Sequence, residues 1–139
     1  MEKKKELTYR GAVMTWECDS NQHMNVMYYI NKYELGGRNF FAKMGLSKSW
    51  LQTNNYGIAV LEQQIKYLQE VYEDDVLYME SSLVDFTRKV ITVFHELKNG
   101  ETDNLVGTAL IKLVVLDKNA RKAVLLPEEI KTKLDFYLN

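Results

Sequence analysis

The sequence predicts an α+β fold: an antiparallel five-stranded sheet wrapped round one long helix, with a short C-terminal helix after it. Three observations lead there. Residues Met24 to Met44 carry apolar side chains on most faces of a helix, and such a helix belongs inside a structure rather than on its surface. Four segments rich in β-branched and aromatic residues then follow one another. Between the last two of these lies Asn99-Gly100, a pair that tolerates the positive φ angles of a tight hairpin and so marks an antiparallel connection. A sheet covered on only one face also invites a second copy of the chain.

Taken in order, the first six residues are mostly charged and are expected to fray, and Leu7 to Trp16 reads as the first strand. Cys-Asp-Ser-Asn-Gln-His gathers short polar side chains that bond their own backbone, the chemistry of a turn that leads into a helix. Within the helix, Gly36-Gly37 costs about 1 kcal/mol per glycine relative to alanine, so another backbone is expected to pack closely there. Gly45 stands where a C-terminal cap belongs. A polar loop through Asn54-Asn55 precedes strands at Ile58 to Val71, Val76 to Phe86, Lys89 to Leu97 and Leu105 to Leu116, the last continuously apolar at Leu113-Val114-Val115-Leu116 and therefore central. Pro127-Glu128-Glu129, with proline at the first helical position and acids in the first turn, opens the C-terminal helix.

At 139 residues, the chain is long enough for one core and too short for two, so residues 1–139 are expected to form a single domain. Lys+Arg of 18 against Asp+Glu of 19 leaves a net charge of −1, which gives no summed positive field to attract nucleic acid. No apolar run approaches the roughly 20 residues needed to cross a bilayer, and the charged start leads into no apolar stretch of signal-peptide length, so no membrane contact and a cytoplasmic location are expected. Cys18 is the only cysteine; an internal disulfide and a cysteine-based zinc cage are excluded, and the carboxylate beside it disfavours a thiolate nucleophile.

The chemistry is expected at Asp19-Ser-Asn-Gln-His23-Met-Asn25, which sets a carboxylate, an imidazole and amides immediately before the helix. The first N–H groups of a helix lack partners and its dipole adds about half a positive charge, so an oxyanion would be stabilised there beside a group able to attack or to activate water. The plainer reading is that Asp19, Asn21 or Asn25 caps the helix, worth about 1 kcal/mol; spacing alone leaves both open. His23 is likewise either a structural hydrogen-bonding histidine or a proton carrier.

The stretch Trp16-Glu-Cys-Asp-Ser-Asn-Gln-His-Met-Asn-Val-Met-Tyr-Tyr-Ile-Asn-Lys-Tyr-Glu resembles the signature of the 4-hydroxybenzoyl-CoA thioesterase-like hotdog enzymes, which include bacterial long-chain acyl-CoA thioesterases. That signature is an Asp, then Gln or Gly, His, a hydrophobic residue and Asn, with a Tyr and a Glu inside the helix; Asp19, Gln22, His23, Asn25, Tyr29 and Glu34 occupy those positions. Gly57 at the start of the second strand, Asp75 before the third and Arg88-Lys-Val at the third turn extend the likeness over nearly the whole chain. Two features depart from it: Gly37 stands where the family usually has an arginine, with Arg38 one step on, and Gln69 to Glu73 lack a proline often found there.

The resemblance implies a hotdog fold and hydrolysis of an acyl-CoA thioester in a site between two subunits of a homodimer, the pairing of dimers into a homotetramer being left open. It makes Asp19 the general base or nucleophile and His23 its catalytic neighbour. Backbone amides at the helix start, or at Gly57 of a neighbouring subunit, become oxyanion donors, and Gln22, Asn25, Tyr29, Gly57 and Arg88 contact substrate. No cofactor and no metal are expected. Glu62 is a second acid that could face the cleft, although Gln63, Gln64 and Lys66 beside it suit a solvated strand face. Met24, Met27 and the tyrosines are either core or acyl pocket. Two rival functions stay in view: a hotdog enoyl-CoA hydratase, whose motif needs a proline and one more residue than Asp19-Ser-Asn-Gln-His, and a non-catalytic acyl-thioester binding module. The acyl group, and coenzyme A against acyl carrier protein as thiol carrier, are not legible in one dimension.

Overall fold

The computed structural model describes residues 4–138. Its elements run β1 (Glu6–Ala12), α1 (Val26–Lys43), α2 (Lys48–Asn54), β2 (Tyr56–Tyr67), β3 (Val76–Phe86), β4 (Val90–Asn99), β5 (Leu105–Asp117), β6 (Lys122–Ala123) and α3 (Glu128–Leu138). The sheet has the order β1-β3-β4-β5-β2 with every pair antiparallel, and the short β6 adds to the end of β5. β1 and β2 are its edges. This is the expected α+β arrangement of five main strands, one long helix and a short C-terminal helix.

Strand alternation builds the core. Leu77, Met79, Ser81 and Leu83 of β3 and Ile91, Val93, His95 and Leu97 of β4 all turn inward and are fully buried, as period-two geometry requires. β5 is buried at Leu113, Val114 and Val115 in succession, in keeping with its place between β4 and β2. α1 packs on β1, β3 and β4 through Tyr29, Tyr33, Gly36, Gly37 and Phe40, spaced three and four apart. α3 closes the end of the sheet with Ile130 and Leu134.

Several expectations need correction. α1 is not enclosed all round: the sheet covers one face and leaves Val26, Met27, Ile30 and Leu35 exposed, Met27 to 60%. The glycine pair faces side chains rather than a backbone. A Cβ at Gly36 would run into Met79 Sδ and stand 3.2 Å from Thr8 Oγ1, whereas one at Gly37 would meet His95 Nε2 at 3.7 Å. The first strand stops at Ala12, because Met14 N is drawn to Glu17 Oε1 (2.8 Å) and the chain turns through a 3-10 segment at Thr15–Glu17. The second strand ends at Tyr67, where Leu68 N and Gln69 N both reach back to Val106 O.

The loop before Asn54-Asn55 is instead α2, capped by Ser47 Oγ on Trp50 N (3.3 Å) and ended by Asn55 in the left-handed conformation. In the β4–β5 hairpin the positive φ belongs to Asp103, not to Asn99 or Gly100; Asn99 Oδ1 accepts from Glu101 N and Thr102 N to make the turn. Gly100 is needed for a different reason, since a Cβ there would lie 3.1 Å from Val76 O. Pro127 sits one place before α3, its carbonyl accepting from Ile130 and Lys131. Gly45, at φ 97°, follows α1 as expected. Of the six residues expected to fray, Met1 to Lys3 lie outside the described residues. Lys4 instead donates to Phe136 O (2.8 Å), Lys5 pairs with Glu96 (2.9 Å), and Glu6 already belongs to β1.

Candidate active site

Between β1 and α1 the chain makes a tight loop. Gln22 N donates to Asp19 O (2.8 Å), Asp19 N to His23 O (3.1 Å) and Asn25 N to Glu17 O (2.8 Å), and Gln22 takes a φ of 69° to complete the turn. The loop is fastened from below by a buried ion pair between Glu17 and Lys32 of α1, which are 5% and 3% exposed.

The cap left open among three residues falls to Asn25, whose Oδ1 accepts from Met27 N (3.0 Å). Asp19 is thereby free of that role. Its Oδ2 accepts from Asn25 Nδ2 (2.8 Å) and its Oδ1 from Asn21 N (2.9 Å), so one asparagine ties the carboxylate to the start of α1. The Asn25 bond first, then the Asn21 amide, holds the Asp19 carboxyl below its ordinary value of 3.8. Among the first backbone N–H groups of α1, those of Met27 and Tyr28 are spent on Asn25. The N–H of Val26, at the first helical position, meets no acceptor among the described residues.

His23 donates from Nδ1 to Met24 O (3.2 Å), which leaves Nε2 turned toward Glu70 Oε1 at 3.7 Å. His23, Tyr29, Tyr67 and Glu70 line a small cavity of about 180 Å³ beside the loop. Tyr29 commits its hydroxyl to Gln69 O (2.9 Å) and sets its ring edge-on to Tyr67 at 5.0 Å, so it serves as wall. Gln22 is exposed on the turn. Met24 is core at 1% exposure, and Cys18 points its thiol at Met14 O, 3.9 Å away.

The remaining expected residues lie elsewhere. Gly57 lines a second and larger cavity of about 620 Å³ between the C-terminal half of α1, α2 and the start of β2. Glu34 is at that cavity's exposed mouth. From Asn25 to Gly37 is twelve residues of helix, about 18 Å, so within one chain the Asp19 loop and this cavity stand apart. Arg88 is exposed on the β3–β4 turn and lines neither cavity; Arg38, Lys48 and Lys118 stand at the mouth instead. Glu62 is solvated, 3.8 Å from Lys112.

Two features went unread in the sequence. Alternation along β4 already placed residue 95 on the inner face, so the buried His95 of the larger cavity was there to be found. The Glu17–Lys32 pair spans fifteen positions and leaves no local pattern. Among the described residues no cluster of three or more His, Cys, Asp or Glu side chains could hold a metal, and no helix is long and apolar enough to cross a membrane.

Comparison with known proteins agrees with this geometry. A protein of Staphylococcus aureus solved in complex with CoA superposes with a TM-score of 0.89 at 24% identity, over 96% of this chain and 85% of that one. A 1,4-dihydroxy-2-naphthoyl-CoA thioesterase from Synechocystis superposes with a TM-score of 0.82 at 14% identity, over 95% and 96%. A DHNA-CoA thioesterase from Staphylococcus aureus does so with a TM-score of 0.84 at 14% identity, over 95% and 91%. At these identities the likeness establishes the fold. Among curated proteins none matches the chain. The sequence profile of the thioesterase-like superfamily, however, matches residues 13–134, and with the antiparallel sheet round α1 it establishes that the chain belongs to the hotdog-type thioesterase family.

Proposed function

We propose that the protein hydrolyses an acyl-CoA thioester to the free acid and coenzyme A, in a site assembled from two copies of the chain. The observation that carries the reading is the ionised Asp19 carboxylate, aimed by Asn25 and Asn21 at the start of α1 beside the unspent Val26 N–H. Asp19 attacks the thioester carbonyl or takes a proton from water that does so. The Val26 N–H and the helix dipole meet the negative charge that develops on the carbonyl oxygen. Collapse of the tetrahedral species expels the thiolate. Where water attacked, this gives the free acid and the proton held by Asp19 passes to the thiolate; where Asp19 attacked, it leaves a mixed anhydride, which water hydrolyses to release the acid and restore the carboxylate, its proton going to the thiolate. The lowered pKa of Asp19 keeps the group ionised, which either role requires.

The second copy enters because the pieces do not meet within one chain. The exposed apolar side chains of α1, with Leu61, Tyr67 and Leu68 on and just after the edge strand β2, form the surface a partner would cover. Covering it brings the Gly57 cavity of one copy toward the Asp19 loop of the other, with Gly57 N–H as a further oxyanion donor, His23 and Asn25 positioning the thioester, and Gln22 at the rim. Coenzyme A phosphates then have Arg38, Lys48 and Lys118 to meet. The structure of the Staphylococcus aureus relative in complex with CoA supports this choice of carrier.

The test is thiol release from short, medium, long and aromatic acyl-CoAs by the native protein and Asp19→Asn. A fall of about 100-fold or more in kcat with acyl-CoA binding retained is the expected result. Release that survives the substitution removes Asp19 from the chemistry. A single turnover in heavy-oxygen water separates the two roles, since label on the Asp19 carboxyl requires that it attacked.

A further inference from the structure

Two charged side chains lie buried beneath the Asp19 loop, and the reaction above uses neither. Glu17, the last residue of the 3-10 segment after β1, is 5% exposed, and Lys32 of α1 is 3% exposed. They form an ion pair, and among the described residues no other carboxylate pairs with the Lys32 ammonium. The rings of Tyr9 on β1 and Tyr28 on α1 flank that ammonium at 5.8 and 6.0 Å. Side chains on a helix lean toward its N-terminus, so a lysine six places after Val26, about 9 Å along the axis, reaches back under the start of α1.

From Glu17 the path to the carboxylate is short. Glu17 Oε1 accepts from Met14 N (2.8 Å) and sets the turn out of β1. Glu17 O accepts from Asn25 N (2.8 Å), and two residues on Asp19 N donates to His23 O (3.1 Å), so the loop is a narrow antiparallel pair of segments with Glu17 and Asn25 at its base. Asn25 then holds Asp19 Oδ2 through Nδ2 (2.8 Å) and caps α1 through Oδ1 (3.0 Å). Among the described residues neither member of the ion pair bonds Asp19 itself.

A buried ion pair is a poor way to stabilise a fold, because taking two charges out of water offsets most of their attraction and an apolar pair of similar volume often serves as well. What it supplies is direction. An ammonium and a carboxylate in a dry site are satisfied in one relative placement, whereas two apolar side chains can slide past each other.

We propose that the Glu17–Lys32 ion pair is a positioning device for the reaction: it locks the base of the loop to α1, so that Asn25 presents the Asp19 carboxylate to the thioester at the start of the helix. The inference rests on the acyl-thioester reading above and deepens it. Glu17 and Lys32 are positioning residues that act on Asp19 through Asn25.

Glu17→Gln combined with Lys32→Met tests it, because the double variant removes both charges without stranding either; circular dichroism and urea unfolding check its fold. On an acyl-CoA that the native protein hydrolyses, kcat is expected to fall about tenfold or more with KM within about twofold, since the reacting group is displaced and the binding surfaces are not. The fall should vanish in an Asn25→Ala background, where the link to Asp19 is already cut. A merely stabilising pair would leave kcat native in the folded double variant. Should that variant not fold, Glu17→Asp keeps the charge but draws the carboxylate back by one methylene, and the same fall in kcat is expected. An unchanged kcat in a folded variant, or an equal loss with and without Asn25, overturns the proposal. A second readout does not need hydrolysis. Carbon NMR of the aspartate carboxyls follows Asp19, identified as the resonance that Asp19→Asn removes. Asn25 is the largest cause of its lowered titration, and the titratable neighbour that acts on it is His23, which faces Glu70 from just after β2; the double variant alters none of these three. Its midpoint is expected to rise toward 3.8 in the double variant as Asn25 loses its place, and an unmoved midpoint overturns the proposal. If no thioester releases thiol, the hydrolase reading falls, and this titration decides the positioning role alone.

Discussion

Lys32→Met should unfold the protein more easily than almost any other single substitution in α1. Lys32 and Glu17 have side chains 4% and 6% exposed, and each is the other's ion-pair partner. Removing the lysine charge leaves the Glu17 carboxylate buried with only the bond from Met14 N on Oε1. Stranding one member of a buried pair costs about 3–5 kcal/mol, a large share of the roughly 5–15 kcal/mol that keeps a domain folded. At about 2–4 °C per kcal/mol, the melting temperature should fall by roughly 10 °C. Glu17→Gln combined with Lys32→Met removes both charges and keeps an acceptor for Met14 N, so it should recover most of the loss. Urea unfolding followed by circular dichroism, at one protein concentration because the proposed dimer would contribute to stability, measures all four members of the cycle. A loss below about 1 kcal/mol in Lys32→Met would mean that the pair behaves as a solvated one, and the reasoning fails.

Three further outcomes follow from the geometry. Asp19 titrates below 3.8, so kcat/KM should hold steady on acidification until below that value, and Asn25→Ala, which removes the largest cause, should move the acid limb upward; an unmoved limb refutes the link. His95 is near 4 when folded against 6.5 when unfolded, so between those values only the unfolded chain takes the proton. Stability is therefore full above about 6.5 and is lost as pH falls toward 4, by about 3 kcal/mol at 1.36 kcal/mol per pH unit, a slope that urea titrations at several pH values should find in the native protein and not in His95→Phe. Met27→Glu changes a side chain already 60% exposed, so it should leave circular dichroism intact while splitting the proposed dimer in sedimentation velocity and abolishing thiol release; a dimer that survives puts the interface elsewhere.

Much of this was legible in one dimension. Alternation located β3 to within its observed ends, because inward and outward residues on a strand differ in kind. The polar run from Asp19 to Asn25 announced a turn before a helix, because those side chains bond locally. What could not be read was non-local. The exposed stripe of Met27, Ile30 and Leu35 is as apolar as the buried stripe of Tyr29, Tyr33 and Phe40, and only the reach of the sheet decides which is covered. Gly100 was taken for a turn former, whereas its role is set by Val76, far away in the chain. α2 escaped because a seven-residue helix on the surface shows no apolar stripe. Asp19 and Gly57 were expected to meet only across two copies of the chain, and a single chain keeps them apart.

α2 has no fully buried residue; it is tied down by the Ser47 cap, a bond from Trp50 Nε1 to Glu129 (3.0 Å), the contact of Trp50 with Tyr56 and the packing of Trp50 and Leu51 against the core. Yet it forms one whole wall of the larger cavity through Lys48, Leu51 and Gln52. Substitutions at its exposed wall positions Lys48 and Gln52 touch little of the core and so carry small stability penalties, whereas Trp50 and Leu51 pack against it. A lineage could therefore resize or re-line the pocket through this short segment while the Asp19 loop at the other end of α1, the proposed site of hydrolysis, stays as it is. Adaptation to a new acyl group and preservation of the reaction would then proceed independently, each under its own selection.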